Sequence, residues 1–307
     1  MNFLNKALND LQQKIISGKK EKNALILVHY YQNMDIQEVA DHVCDSFEMA
    51  QRAHKAEQEL LIICGVHFMA ESAKILNPNK KVLIPVLDAG CPMADMITPE
   101  DVIALREFYP KAAVVCYVNS SAAVKAVSDI CCTSSSAERI VRALPENQII
   151  FIPDRNLGAY ISSKVPEKEF IFHKGWCPVH DRIVDYDVAS ARKKYPDAKL
   201  LTHPECQMEI LEQSDFIGST SEIIKYALDS DNYEFIIGTE VGVTEHLSAL
   251  APEKKFHPLT NNFICEDMKK TRLEDVLYTL EFGDFEIKLS GNEVNAAKQS
   301  LERMVNV

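Results

Sequence analysis

Apolar residues in this chain fall in short runs bounded by polar, turn-prone segments: NALILVHYYQ, LLIICGVHF, KAAVVCYVNS, QIIFIPDRN, DAKLLTHPEC and EFIIGTEVG. Each run is near-continuous rather than alternating, which predicts parallel strands buried on both faces. Between the runs lie stretches with helical spacing, such as IQEVAD, SFEMAQRAHKA and FMAESAKILN. Strands that alternate with helices in this way predict an α/β fold built as three-layer α/β/α units. Ahead of the first strand, LNKALNDLQQKII has helical spacing and reads as a packing or docking helix.

The pattern recurs three times. Aligning the first strand of each block sets His29 on Tyr117 on His203, offsets of 88 and 86. The same offsets bring Ser46 onto Ser134 and Thr220, and each block ends in a cysteine, Cys91, Cys177 and Cys265. Ten residues after each cysteine stands an Asp-Val pair: Asp101-Val102, Asp187-Val188 and Asp275-Val276. A repeat this long makes each copy a structural unit. The expected organisation is an N-terminal helix over 1–22, repeats over 23–110 and 111–196, and a third repeat with C-terminal helices over 197–307. Three pseudo-threefold-related units, each with a small parallel sheet, can aim the loops at their strand ends toward a common axis, as a trefoil.

Those loops carry the chemistry. After the first strands come His29 and Tyr31, Tyr117 and Asn119, and His203 and Glu205. After the second strands come Ser46, Ser134 and Thr220 (preceded by Ser219), at helix starts where a hydroxyl serves as an N-cap and free N–H groups attract anions. Cys44, Cys64, Cys116, Cys131 and Cys132 lie in or beside strands and read as small buried hydrophobes, while Cys206 is ambiguous. Cys91, Cys177 and Cys265 share a repeat position without a fourth partner. Soft thiolates select zinc, copper(I) or iron–sulfur clusters. A structural zinc site wants four closed ligands, commonly in CxxC pairs, and the chain has no CxxC. Three thiolates on a cubane cluster instead leave one iron open to act as a Lewis acid. His180, three residues after Cys177, is a candidate for supporting that site or touching a substrate.

Composition narrows the classes. With 33 basic and 45 acidic residues the net charge is -12, with no basic stripe to neutralise a phosphate backbone, so nucleic acid is excluded as a partner. No segment reads as a membrane span or secretory signal, and nine cysteines, an odd number, speak against a disulfide framework. A cytoplasmic setting is expected.

In the motifs LVHYYQ, CGVHFMAESAKILNP, DAGCPMADM, YVNSSA, SDICCTSS, FIPDRNLG, GWCPVHDR, THPEC, DFIGSTSEIIKYA and FIIGTEVG, nearly the whole chain resembles the quinolinate synthases, iron–sulfur enzymes of NAD biosynthesis. The resemblance implies a trefoil around a [4Fe-4S] cluster held by Cys91, Cys177 and Cys265. It also implies a transferase that condenses iminoaspartate with dihydroxyacetone phosphate, with cluster-assisted dehydration, and a functional link to an enzyme that oxidises L-aspartate. Contacts to substrate or product carry over to His29, Ser46, Tyr117, Val118, Asn119, Ser134, His203, Pro204, Glu205 and Thr220, with Tyr31 close by. On this basis Glu205 beside His203 is the expected base and Tyr31 a partner for proton transfer, with Tyr117 and Asn119 also at the chemistry. The Ser219/Thr220 helix start is the expected phosphate site. Some members carry CxxC at the last cysteine; here Cys265-Glu266-Asp267-Met268 lacks it. Two other readings fit three thiolates: a hydro-lyase acting on a hydroxy-acid, and a non-catalytic cluster-bearing sensor.

Overall fold

The computed structural model describes residues 9–306, so the start of the N-terminal helical stretch lies outside the described residues. Twelve strands form three four-stranded sheets. The first holds β1 (Ala24–His29), β2 (His42–Cys44), β3 (Leu60–Cys64) and β4 (Lys81–Leu83). The second holds β5 (Ala113–Tyr117), β6 (Ile130–Cys132), β7 (Gln148–Ile152) and β8 (Glu169–Phe172). The third holds β9 (Lys199–Thr202), β10 (Phe216–Ile217), β11 (Glu234–Gly238) and β12 (Lys255–Pro258). Their orders, β2-β1-β3-β4, β6-β5-β7-β8 and β10-β9-β11-β12, are the same permutation, and all pairings are parallel. The protein is thus an α/β fold of three repeated α/β/α units.

Every residue of β1 is buried, but not in one place. Leu25 and Leu27 enter one core, while Ala24, Ile26 and Val28 enter another, as the two-residue period of a strand requires. Covering both faces with helices therefore demands an apolar residue at every position, which accounts for the runs in the sequence.

The repeated Asp-Val pairs are explained by the helices that carry them. In Pro99–Phe108, Asp185–Lys194 and Leu273–Phe282 the Asp closes the first turn: Asp101 accepts from the N–H of Thr98 (2.9 Å), Asp187 from that of Val184 (3.0 Å) and Asp275 from that of Arg272 (2.9 Å), and Thr98 returns the bond by accepting from the Asp101 N–H (3.2 Å). The following Val102, Val188 and Val276 are fully buried. The helix Asp10–Glu21 stands in the same place before β1, where Gln12 accepts from the N–H of Asn9 (3.0 Å).

At the C-terminal end, sequence order and spatial grouping part company. Helix Leu273–Phe282 follows the third unit but packs on Asp10–Glu21 and β3 of the first, with Leu273, Val276 and Leu280 in the first unit's core. Gly283 ends it with φ 69°, a conformation open to glycine. The last helix, Gly291–Val305, packs against His67–Leu76, Ala122–Ala126 and β6, so it spans the first and second units. Among the described residues, no helix is long and apolar enough to cross a membrane.

Candidate active site

Loops at the carboxyl ends of strands from all three units line one cavity of about 220 Å³. From the first-strand loops come His29, Tyr31, Tyr117, Asn119, His203 and Glu205; from the second, Ser46, Ser134 and Thr220; from the cysteine loops, Cys91, Cys177, Cys265 and His180. Val118, Pro204 and Ser219 are not on its wall. Val118 and Pro204 are buried beneath it, and Ser219 is consumed as the cap of helix Thr220–Asp229.

The three hydroxyls differ from ordinary caps. The capping residues are Asp45, Ser136 and Ser219, so Ser46 and Thr220 stand one residue inside their helices and Ser134 lies in the turn before its own. Asp45 and Ser219 cap with their side chains, which leaves the Ser46 and Thr220 hydroxyls to the cavity, whereas Ser136 makes no side-chain cap and its hydroxyl accepts from the Thr133 N–H (2.9 Å). Thr220 Oγ1 lies 3.1 Å from the Tyr31 hydroxyl. Asp45 also bonds Ser221 Oγ, joining the first unit to the third.

Each cysteine is held by the same two backbone devices. Two residues before it, a carbonyl accepts from the first N–H of the helix after the third strand: Ala89 from His67 (2.8 Å), Gly175 from Arg155 (2.9 Å) and Phe263 from Val241 (2.9 Å). Its own carbonyl accepts from the residue four on: Asp95 (3.2 Å), Asp181 (2.9 Å) and Lys269 (3.1 Å). Each cysteine thus opens a helical turn. Burial pushes the thiols up, to about 12 at Cys91, about 11 at Cys265 and well above normal at Cys177, while N–H groups of the turn oppose the shift. Thiols in this state become thiolates when a cation binds them, so the wall fits a metal centre with three sulfur donors. Cys177, His180 and Glu205 also offer ligand atoms within 4.8 Å of one another. A single ion there would leave Cys91 and Cys265 without a role, and His180 Nδ1 already meets Glu205 Oε2 at 2.8 Å.

A chain of polar contacts starts beside Cys177, whose Sγ lies 3.3 Å from His180 Nδ1. Tyr117 donates to Glu205 Oε1 (2.7 Å), and Glu205 Oε2 faces His180 Nδ1. His180 Nε2 lies 3.0 Å from Thr239 Oγ1, which lies 2.8 Å from the Tyr31 hydroxyl. Burial alone would raise the Glu205 carboxyl, but His180 and the Tyr117 hydroxyl outweigh it and hold the acid well below the usual range. Burial pushes both His29 and His203 down to about 3, so both rings are neutral. Their Nδ1 atoms accept backbone N–H groups, of Tyr31 (3.2 Å) and of Glu205 (3.3 Å), which assigns the ring proton to Nε2. Asn119 Oδ1 is buried with no hydrogen-bond partner. Among the described residues, Arg182 is the one lysine or arginine on the wall.

Sequence reasoning passed over Asp45, Thr133, Arg182, Thr239, Glu240 and Lys269. Thr239 could have been found by its departure from the repeat, since Gly65 and Pro153 hold the equivalent positions. Cys206, left ambiguous by the sequence, is fully buried in an apolar core, as are Cys44, Cys64, Cys116, Cys131 and Cys132.

Comparison with known proteins bears on what the cavity is for. The family described as "Quinolinate synthetase A protein" matches residues 13–306. A quinolinate synthase of Alkaliphilus metalliredigens is 51% identical over 292 residues, 94% of this chain and 95% of the relative. One of Caldicellulosiruptor saccharolyticus is 48% identical over 300 residues, 98% and 99% of the two chains. One of Thermodesulfovibrio yellowstonii is 43% identical over the same shares. Matched along almost its whole length by the family and by relatives of equal extent, the chain belongs to the quinolinate synthases.

Proposed function

We propose that the cavity condenses iminoaspartate with dihydroxyacetone phosphate to give quinolinate, phosphate and two waters. One observation carries this reading: three thiols, one per unit, share a single wall with the Tyr31, Tyr117, His203 and Glu205 constellation. Cys91, Cys177 and Cys265 would hold a [4Fe-4S] cluster, which supplies a Lewis acid at the iron that lacks a thiolate.

The remaining work falls to the side chains. Ring closure joins two small molecules through one carbon–carbon and one carbon–nitrogen bond, so holding both in one enclosed cavity gains the proximity term, several kcal/mol in order of magnitude (~7). His29 and His203, neutral with their protons on Nε2, donate to anionic or carbonyl oxygens without changing charge. Asn119 Oδ1 accepts an N–H from the imine, and Arg182 meets the phosphate dianion. Ser46, Ser134 and Thr220 donate to carboxylate or phosphate oxygens. This shifts the phosphate role away from Ser219, which spends its hydroxyl on the Glu222 N–H (3.4 Å).

Proton movement centres on Glu205. With one oxygen on Tyr117 and the other on His180, it takes the Tyr117 hydroxyl proton in the same step in which the Tyr117 oxygen takes one from substrate carbon or oxygen, so Tyr117 stays neutral and the proton is shared between Glu205 and His180 as a unit. Tyr31, buried and held neutral, serves the opposite end of the chain through Thr220 and Thr239. Iminoaspartate is supplied by a two-electron oxidation of aspartate, which makes an L-aspartate-oxidising enzyme the functional neighbour.

The direct test is anaerobic reconstitution with iron and sulfide followed by addition of both substrates. Quinolinate and phosphate are expected in equal amounts, with none from the Cys177→Ser variant. Turnover of a hydroxy-acid without phosphate release would instead mark a hydro-lyase.

A further inference from the structure

Tyr31 is gripped at both ends by the third unit. Its hydroxyl meets Thr239, and its carbonyl accepts from Lys269 Nζ (2.7 Å). Lys269 also pairs with Glu240 Oε1 (3.3 Å), a carboxylate with no solvent exposure. Glu240 in turn accepts from the N–H of Cys265 at Oε1 (3.4 Å) and from that of Gly242 at Oε2 (2.7 Å). The packing leaves no slack. A Cβ on Gly242 would come within 2.8 Å of the Tyr30 carbonyl, 2.9 Å of Glu240 Oε2 and 3.2 Å of Lys269 Nζ, so only glycine allows this approach.

The other two units share this frame with different partners: in the second, a more exposed pair joins Arg155 to Asp181 (3.1 Å), and in the first, among the described residues, no ion pair joins Asp95 to the helix after the third strand. Glu240 caps the helix after the third strand, where Asp154 and Val66 stand in the second and first units. Lys269 donates its backbone N–H to the cysteine carbonyl, where Asp181 and Asp95 do so in the other two. The first unit therefore holds its cysteine loop without an ion pair at this position, and the second does so without burying one. Buried pairs are poor sources of stability, and their best use is to fix a geometry.

We propose that Glu240 and Lys269, with Thr239 beside them, form a bracket that sets the position of Tyr31 relative to the loop of Cys265. The three are positioning residues. Their effect on turnover rests on the reading of the cavity given above, whereas their effect on the Tyr31 loop does not.

Two measurements on the full-length protein separate these. Hydrogen exchange is followed without substrates in wild type, Lys269→Met and Lys269→Arg. The methionine variant is expected to speed exchange about tenfold in peptides covering both Tyr30–Gln32 and Cys265, and the arginine variant to restore most of the protection. Steady-state kinetics and iron content are then measured on reconstituted wild type, Lys269→Met, Tyr31→Phe and the double variant. Lys269→Met is expected to keep its iron and to lose about tenfold in kcat, but to cost less than about twofold in the Tyr31→Phe background. Unchanged exchange at Tyr30–Gln32, additive kinetic losses, or iron lost in proportion to turnover would overturn the bracket. Should wild type form no quinolinate, the functional reading fails and the exchange result alone decides the bracket.

Discussion

Glu205 is fully enclosed, yet its carboxyl is held below the usual range because His180 and Tyr117 each bond one of its two oxygens. Glu205→Gln keeps the shape and removes the charge, leaving the three thiols untouched. We expect this variant to retain the visible absorption of a bound cluster while turnover falls about 10²–10⁴-fold; activity within a few-fold of wild type would remove Glu205 from proton transfer. At this scale much of the site was legible, because residue type and repeat position together mark His29, Tyr117 and His203, and the cysteines below them. Contacts that cross between units were not. Nothing local to Lys269 or Thr239 reveals that residue 31 is their neighbour, and nothing local to Ser46 shows that Asp45 takes over the cap.

Among the elements, two contacts are open to direct measurement. His246, on helix Val241–Leu250, meets Gln37 Oε1 at 2.7 Å and is pushed down to about 4 by burial. A histidine whose folded pKa lies below its unfolded value of about 6.5 opposes folding as acid is added. The unfolded chain binds more protons between those two values, so stability falls as pH drops from about 6.5 toward 4. A thermal midpoint that decreases across this range, and decreases less in His246→Gln, is expected. The second contact is helix Gly291–Val305, which buries Val294, Ala297, Leu301 and Met304 across the first two units. Leu301→Ala should cost about 2–5 kcal/mol in denaturant unfolding, with an unchanged slope. Strand and helix identities were readable from the apolar runs, but the destinations of the last two helices were not. An amphipathic face shows that a helix packs, not on which unit, and the third unit's closing helix lies with the first.

For the whole molecule, the three cysteines come from three units and enter by equivalent backbone hydrogen bonds. Cys91→Ser, Cys177→Ser and Cys265→Ser should therefore behave alike, each losing iron and each lowering the thermal midpoint of the reconstituted protein to about that of the metal-free chain. Unequal losses would assign the ligands unequal weight. Trp176, the only tryptophan, immediately precedes Cys177 and gives a second readout, since its fluorescence should fall on reconstitution in wild type alone. The spacing of the three proposed ligands has a further consequence for the chain as a polymer. Tying positions 91, 177 and 265 to one point closes loops of 86 and 88 residues. Fixing a loop of that length removes denatured-chain entropy worth about 4.6 kcal/mol. Among the described residues, the seam where the third unit meets the first is held without a covalent link of its own, by helix Leu273–Phe282, the contacts around Tyr31, and bonds such as Asp45–Ser221 and His246–Gln37. Oxidative loss of the cofactor should thus loosen the ring at that seam first, while each sheet remains folded.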